Sequence, residues 1–288
     1  MCWFLRTVNL TTSERFAMSN SLEHDYAPVC DLYERHLGSA LFEPYALDLA
    51  RRIAVHCEEG SALEMACGTG IVTRQLRARL KPPVALTVTD INPGMLDYAQ
   101  RKLNSLEGVL WQQADIANLP FPDDSFDVAV CQFGLMFVSD KDRAFREMRR
   151  VLVAGGLLVF SVWDRMEKNP WSIIAHETVG EFFPDNPPQF FRAPCSFYDS
   201  TVLRGLLTAN GFDKVDIQAV PKTCYSSTAR SLAIGLIEGA PVLAEIQERG
   251  GSSEPIVDAV ATALAQTGGD NPYRSTMQAI VVTARASQ

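Results

Sequence analysis

Five apolar runs of strand length, 61–67, 84–89, 109–113, 126–131 and 157–163, alternate with amphipathic segments over short connections. Parallel strands need long crossovers, and a crossover wound right-handed lays its helix on the sheet face, so this alternation predicts a doubly wound α/β domain. Helical spacing marks 71–80, stopped by Pro82-Pro83, and a segment opening at Asn92-Pro93 with Leu96, Ala99 and Leu103 inward. It also marks 140–152, with Phe145, Met148 and Leu152 inward, Arg143, Arg146, Arg149 and Arg150 on a solvated face, and Gly155-Gly156 as its stop. Upstream, Leu37, Leu41, Tyr45, Leu49 and Ile53 fall at steps of four and predict a helix over about 23–54.

Beyond residue 163 the rhythm breaks. Residues 164–198 are crowded with Pro and aromatics, 199–210 read as a helix capped by Asp199 or Ser200, and 215–220 as a strand. A mostly helical stretch over 226–267 precedes a last strand at 277–284. The expected organisation is a leader and helical arm (1–59), a ligand-binding core (60–163), an aromatic cover (164–198), and the rest of the sheet with a helical insertion (199–288). Residues 1–17 read as a loose leader before Met18.

Composition narrows the function classes. The net charge of −8 and pI near 5.1 argue against general affinity for nucleic acid, which needs cationic surface to displace counterions. No apolar run approaches the ~20 residues of a membrane span. Seven scattered cysteines without metal-ligand spacing read as reduced thiols of a cytoplasmic protein. Asp123-Asp124 reads as a solvated turn rather than a metal pair.

In an open parallel sheet, ligands sit beyond the strands' carboxyl ends, where the first strand-to-helix turn makes the usual contact. Here that turn ends in Gly68-Thr69-Gly70, whose glycines allow close backbone approach beside a helix N-terminus. The second strand ends in Asp90, a carboxylate able to accept from a ribose diol. Asn92 is better placed to cap the following helix. Together these features predict a nucleoside-containing cofactor. A nicotinamide dinucleotide fits poorly, because Thr73 stands where a third small residue is needed and Glu64 would repel a pyrophosphate. A carboxylate at position 64 suits a cationic or amine-bearing ligand.

The segment Leu63-Glu64-Met65-Ala66-Cys67-Gly68-Thr69-Gly70 resembles motif I of the class I S-adenosylmethionine (SAM)-dependent methyltransferases. Asp90-Ile91-Asn92-Pro93-Gly94-Met95-Leu96 is similar to their post-I motif. Ala114-Asp115-Ile116, Leu119-Pro120-Phe121, Ser125-Phe126-Asp127, Gln132-Phe133-Gly134-Leu135-Met136-Phe137, Arg149-Arg150-Val151-Leu152 and Gly155-Gly156 follow the methyltransferase type 11 subgroup, near the ubiquinone/menaquinone C-methyltransferases. The resemblance covers about 60–163. It implies a Rossmann-like sheet of seven strands, mostly parallel with an antiparallel last strand, with N-terminal helices and helical cover insertions.

It also implies SAM as cofactor. Glu64, Ala66, Gly68 and Gly70 would meet its methionine end, and Asp90 its ribose. Ile91 and Met95 would lie against the adenine, Asp115 would accept from the adenine amino group, Ile116 would cover the ring, and Gln132 would border methionine moiety and substrate. Glu64 stands where Asp is commoner, and Ala66-Cys67 where Gly and a small residue are. The expected activity is methyl transfer to a small, partly apolar molecule; an NAD(P)-dependent oxidoreductase and a non-catalytic or repurposed SAM-binding protein are the alternatives. Tyr26, Tyr33, Trp163, Trp171 and Phe197 are the substrate-cover candidates. His176 is the best-placed base if one is needed, though a packed or solvated histidine is the stronger reading. Cys67 reads as packing. A homodimer is the candidate assembly.

Overall fold

The computed structural model describes residues 27–288. The first element is a helix α1 (Ala27–Tyr33), which runs through a π-helical segment (Glu34–Phe42) into α2 (Glu43–Ala54). Leu37, Leu41, Tyr45, Leu49 and Ile53 are all buried, as their spacing requires. The wider π winding is not readable from that spacing.

The sheet begins with β1 (Ser61–Met65), α3 (Ile71–Arg77), β2 (Ala85–Asp90), α4 (Pro93–Lys102), β3 (Val109–Gln113) and β4 (Phe126–Gln132). It continues through α5 (Lys141–Val151) and β5 (Leu152–Trp163). Asn92 caps α4 with Oδ1 accepting from the Gly94 and Met95 amides at 2.9 and 3.3 Å, and Asp140 caps α5 by accepting from Arg143 N–H. Gly155-Gly156 do not stop α5, contrary to the sequence expectation. The helix ends at Val151 and β5 starts at once, with Gly155 at φ +78° inside the strand where the pairing to β4 shifts register. Nor is the arginine face simply solvated: Arg146 pairs with Asp142, Arg150 with Glu147 and Asp123, and Arg149 donates to the Ser287 and Leu152 carbonyls.

The chain closes with α6 (Pro170–Glu181), α7 (Ser200–Ala209), β6 (Phe212–Ser226), α8 (Ala229–Ile237), α9 (Val242–Glu248), α10 (Ser253–Gly268) and β7 (Tyr273–Ala286). Strand order is β3-β2-β1-β4-β5-β7-β6, with β7 antiparallel to both of its neighbours and every other pairing parallel. This is the expected seven-stranded sheet. β6 extends well past 215–220 because it pairs with β7 along its whole length, and its Pro221 and charged residues are tolerated on an edge strand.

The start of the 164–198 segment is tied to β7. Asn169 is fully buried, donating to the carbonyls of Asp164 and Gln278 and accepting from the Gln278 amide. Asp164 in turn accepts from the Gln278 side chain at 2.6 Å. Among the described residues no helix is long and apolar enough to cross a membrane.

Candidate cofactor and acceptor site

Register puts three of the predicted cofactor residues on one face of the sheet. Glu64 pairs with Val88 and Val130, and in a pleated strand every second residue shares a face, so Asp90 and Gln132 lie on the face of Glu64. Gln132 pairs with Ser161, which brings Ser161 and Trp163 into the same row. The π segment and α2 cover this face: the Gln132 amide donates to the Phe42 carbonyl at 3.2 Å, and Tyr45 stands edge-on to Trp163 with ring centroids 5.5 Å apart.

Glu64 is 1% exposed, and neither carboxylate oxygen meets a hydrogen-bond partner. Burial pushes its pKa up to about 8; the nearby Thr73 hydroxyl and amide lower it, and the Asp90 charge raises it. An unpaired buried carboxylate is costly unless it is protonated or meets a cation. Asp90 is different. Its Oδ2 accepts from Gly68 N–H and its Oδ1 from Asn92 N–H, both at 2.8 Å, tying the glycine turn to the loop after β2. Burial still raises its pKa. Each oxygen keeps lone-pair capacity for a further donor.

The turn between β1 and α3 is strained where a ligand would approach. Ala66 has φ +53° and Gly68 φ +54°, and a Cβ on Gly68 would face open space. Gly70 also serves packing. A Cβ there would lie 2.7 Å from Leu103 Cδ1 and 3.2 Å from Ala99 Cβ, so its small size lets α4 pack closely. Ile91 is 60% exposed, Met95 half-buried and Ile116 buried. The Asp115 carboxylate is exposed and closes an Asx turn onto Ala117 N–H. Cys67 is buried, its thiol pushed well above the usual range chiefly by desolvation.

The N-terminal arm forms a clasp that the sequence does not reveal. Glu34, in the π segment, accepts from Thr69 Oγ1 and pairs with Lys102 Nζ, each at 2.5 Å, while Lys102 also donates to the Thr69 carbonyl. Asp31 accepts from the Tyr98 hydroxyl at 2.7 Å, and the Cys30 thiol reaches Met95 Sδ. No sequence signal links residues 34, 69 and 102, which meet only through tertiary packing. Glu34→Ala should cost about 1–2 kcal/mol, because it removes two bonds to a mostly buried carboxylate. Urea unfolding checks this; an unchanged midpoint would mean the clasp contributes nothing.

Of the cover candidates, Tyr26 lies outside the described residues. Tyr33 stacks on Phe42 at 4.8 Å, and Phe133 lies flat on Trp163 at 4.1 Å and 8°. Trp171 meets Trp163 edge-on at 5.3 Å. Phe197 is buried, with the Lys141 ammonium 4.8 Å from its ring centroid. His176 Nε2 accepts from Arg192 Nε at 3.1 Å, and its pKa is lowered by burial first and Arg192 second. About 140° around α6 from Trp171, at 100° per residue, it is turned away from the aromatic wall.

A cationic, amine-bearing nucleoside fits these residues: an unpaired carboxylate beside a turn with open space at Gly68, next to a carboxylate with acceptor capacity. Residues 63–160 match the family described as Methyltransferase domain. A ubiquinone/menaquinone biosynthesis C-methyltransferase of Idiomarina loihiensis is 33% identical over 169 residues, 54% of this chain and 67% of that protein. Its counterpart in Pasteurella multocida is 32% identical over 169 residues, 56% of this chain and 61% of that one, so the chain spans less than two thirds of that relative. Two solved structures show the same fold. A putative methyltransferase of Bacillus halodurans aligns at TM-score 0.57 and 18% identity, covering 84% of this chain and 99% of its own. A phosphoethanolamine N-methyltransferase 2 of Haemonchus contortus, solved with SAM, aligns at 0.59 and 16%, covering 95% and 60%. Nothing in these likenesses supports a nicotinamide enzyme, and with the matched motif region, the strand order and the orphaned Glu64 they place the chain in the class I SAM-dependent methyltransferase family.

Proposed function

We propose that this chain transfers a methyl group from SAM to a small, partly apolar acceptor. The observation that carries the reading is Glu64, a fully buried carboxylate without a partner at the end of β1 and beside the glycine turn. When bound, SAM would supply a methyl carbon activated by its sulfonium; the acceptor's electron pair would form the new bond as the C–S bond breaks, sulfur keeping those electrons and any proton the acceptor sheds passing to solvent. The protein's part is to align, to exclude water and to hold charge.

Glu64, ionised on contact with a cation, holds the amino-acid end. The Gly68 region gives it backbone room, and Ala66 and Gly70 set the turn's path. Asp90 orients the ribose while keeping the two loops together through Gly68 and Asn92. Ile91, Met95 and Ile116 offer apolar surface to the adenine, and Asp115 an acceptor at its edge. Gln132 borders both ligands. The wall of Tyr33, Phe42, Phe133, Trp163 and Trp171 excludes water from the acceptor side. His176, held by Arg192, stays outside the reaction. We assign 60–163 to the cofactor core, 27–59 to the clasping arm, 164–198 to the cover and 199–288 to the completion of the sheet. Free buried cysteines support a reducing, cytoplasmic setting. The names of the quinone-biosynthesis relatives support a small acceptor with apolar surface.

Calorimetry should detect binding of SAM and of S-adenosylhomocysteine, and labelled SAM should pass its methyl to a small-molecule fraction of a cell extract. Absence of binding to either nucleoside overturns the reading. Asp90→Asn should weaken SAM roughly tenfold, since the amide keeps one acceptor oxygen where the carboxylate has two, and one loop amide is left unpaired. An unchanged dissociation constant would remove Asp90 from the ribose.

A further inference from the structure

Three buried polar atoms on the acceptor side have no partner: Gln132 Oε1, Ser161 Oγ and Trp171 Nε1. Ser161 is 0% exposed and Trp171 5%. They belong together. Gln132 and Ser161 are register partners at the carboxyl ends of β4 and β5, with side chains on one face. Trp163 follows two residues after Ser161 on that face, and Trp171 packs against it. The Gln132 amide nitrogen is already committed to the Phe42 carbonyl, which leaves its oxygen as the free end.

Buried polar groups are normally satisfied, because each one left without a partner costs about 1–3 kcal/mol. Two at the strand ends where ligands sit, and a third on the ring packed against Trp163, mark a place built to be completed from outside the chain. The inventory is specific: Gln132 Oε1 only accepts, Trp171 Nε1 only donates, and Ser161 does either. Along the row Asp90, Glu64, Gln132, Ser161, Trp163 there is no cation, and two members are carboxylates. An anionic acceptor gains no ion pair from this row. The stacked rings of Phe133 and Trp163 offer a flat apolar wall.

We propose that Gln132, Ser161 and Trp171 form the acceptor-recognition site, taking an uncharged, flat molecule with a group that both donates and accepts hydrogen bonds. The site rests on the methyltransferase reading above and specifies the chemistry of its second ligand. Gln132 Oε1 accepts the ligand's O–H or N–H, Trp171 Nε1 donates to its lone pair, and Ser161 adapts to either. Ser161 and Trp171 are positioning residues; they orient the acceptor and take no proton from it.

The test uses the full chain saturated with S-adenosylhomocysteine, titrated in a calorimeter with p-cresol, toluene and p-toluate. These share one ring and differ in a hydroxyl, no polar group and a carboxylate. We expect p-cresol to bind at least tenfold more tightly than either of the others. Trp171→Phe and Ser161→Ala should each reduce that advantage at least threefold while leaving S-adenosylhomocysteine affinity within twofold of wild type, which also certifies their fold. The inference is overturned if the wild type does not prefer p-cresol, if p-toluate binds best, or if both variants retain the full preference. Failure of the wild type to bind S-adenosylhomocysteine overturns the cofactor reading instead, so the two failures are distinguishable. Should either variant not fold, the wild-type preference among the three probes still decides.

Discussion

Glu64→Gln is expected to lower SAM affinity roughly 100-fold near pH 8 while making the ligand-free protein more stable. Both effects come from one buried carboxylate. Truncating one partner of a buried, hydrogen-bonded charge pair costs about 2–5 kcal/mol, and the amide keeps the side chain's size while losing its charge. In the ligand-free state the same charge is a liability. Its pKa is raised from the ordinary 4.5 to about 8, chiefly by desolvation. The folded state therefore favours the protonated acid, and stability falls as pH rises from about 4.5 to about 8, at about 1.4 kcal/mol per unit at most. Glutamine has no such loss. The melting-temperature advantage of the variant should be small at pH 5 and grow steadily towards pH 8.

Ligand binding reverses the sign. A cation against Glu64 drives off its proton, so wild-type affinity should rise with pH up to about 8, where deprotonation no longer opposes binding. At pH 7, calorimetry in buffers of different ionisation enthalpy should show up to one more proton released by the wild type than by the glutamine variant. Equal proton counts in the two proteins would mean that Glu64 does not face the cofactor's positive end, and an identical pH–stability profile would mean it is not buried as a lone acid.

Much of this arrangement is legible in the sequence because the residues that carry it are local. The pattern of Asn92-Pro93 with apolar residues at helical spacing gives α4 and its cap, and the short run ending in Asp90 gives β2. Glu64 is readable as an anion at a ligand turn because it stands in a short, largely apolar strand just before Gly68-Thr69-Gly70. What escapes is set by distant neighbours. Gly155-Gly156 have the look of a helix stop, but Leu152 and Leu157 on either side pair with β4 and hold them in the strand at its register shift. Of β6 only the apolar centre reads as a strand; its polar flanks are held in the sheet by pairing with β7 from Phe212 to Ser226, which no local pattern announces. Glu34, Thr69 and Lys102 carry no common motif, and Ser161 sits in an apolar strand as an ordinary small residue until its neighbours reveal an unpaired hydroxyl. Gly70 reads as a ligand contact from its motif, and only packing shows that it is also the point where α4 meets the glycine turn.

Gly134→Val should be the most destabilising single substitution near the site, at about 3 kcal/mol. Backbone conformation is no obstacle, since Gly134 has φ −93° and ψ −39°, which any residue adopts. Space is the obstacle. A Cβ at 134 would run into Ala66 Cβ and lie 2.9 Å from Cys131 Sγ. Ala66 cannot yield cheaply, because it is held at φ +53° between β1 and the glycine turn, and Cys131 is fully buried in β4. A branched side chain must therefore push the exit of β4 away from the turn that carries Gly68. At roughly 2–4 °C per kcal/mol for a chain somewhat smaller than this one, the melting temperature should fall by about 6–10 °C, and SAM affinity should fall with it because the turn moves. Gly205→Ala supplies the contrast. Gly205 lies exposed in α7 with nothing within 4 Å of its would-be Cβ, so alanine should be neutral or stabilise by up to about 1 kcal/mol. If calorimetric melting puts both variants within 2 °C of wild type, the close approach of β4 to the cofactor turn is not holding the site together.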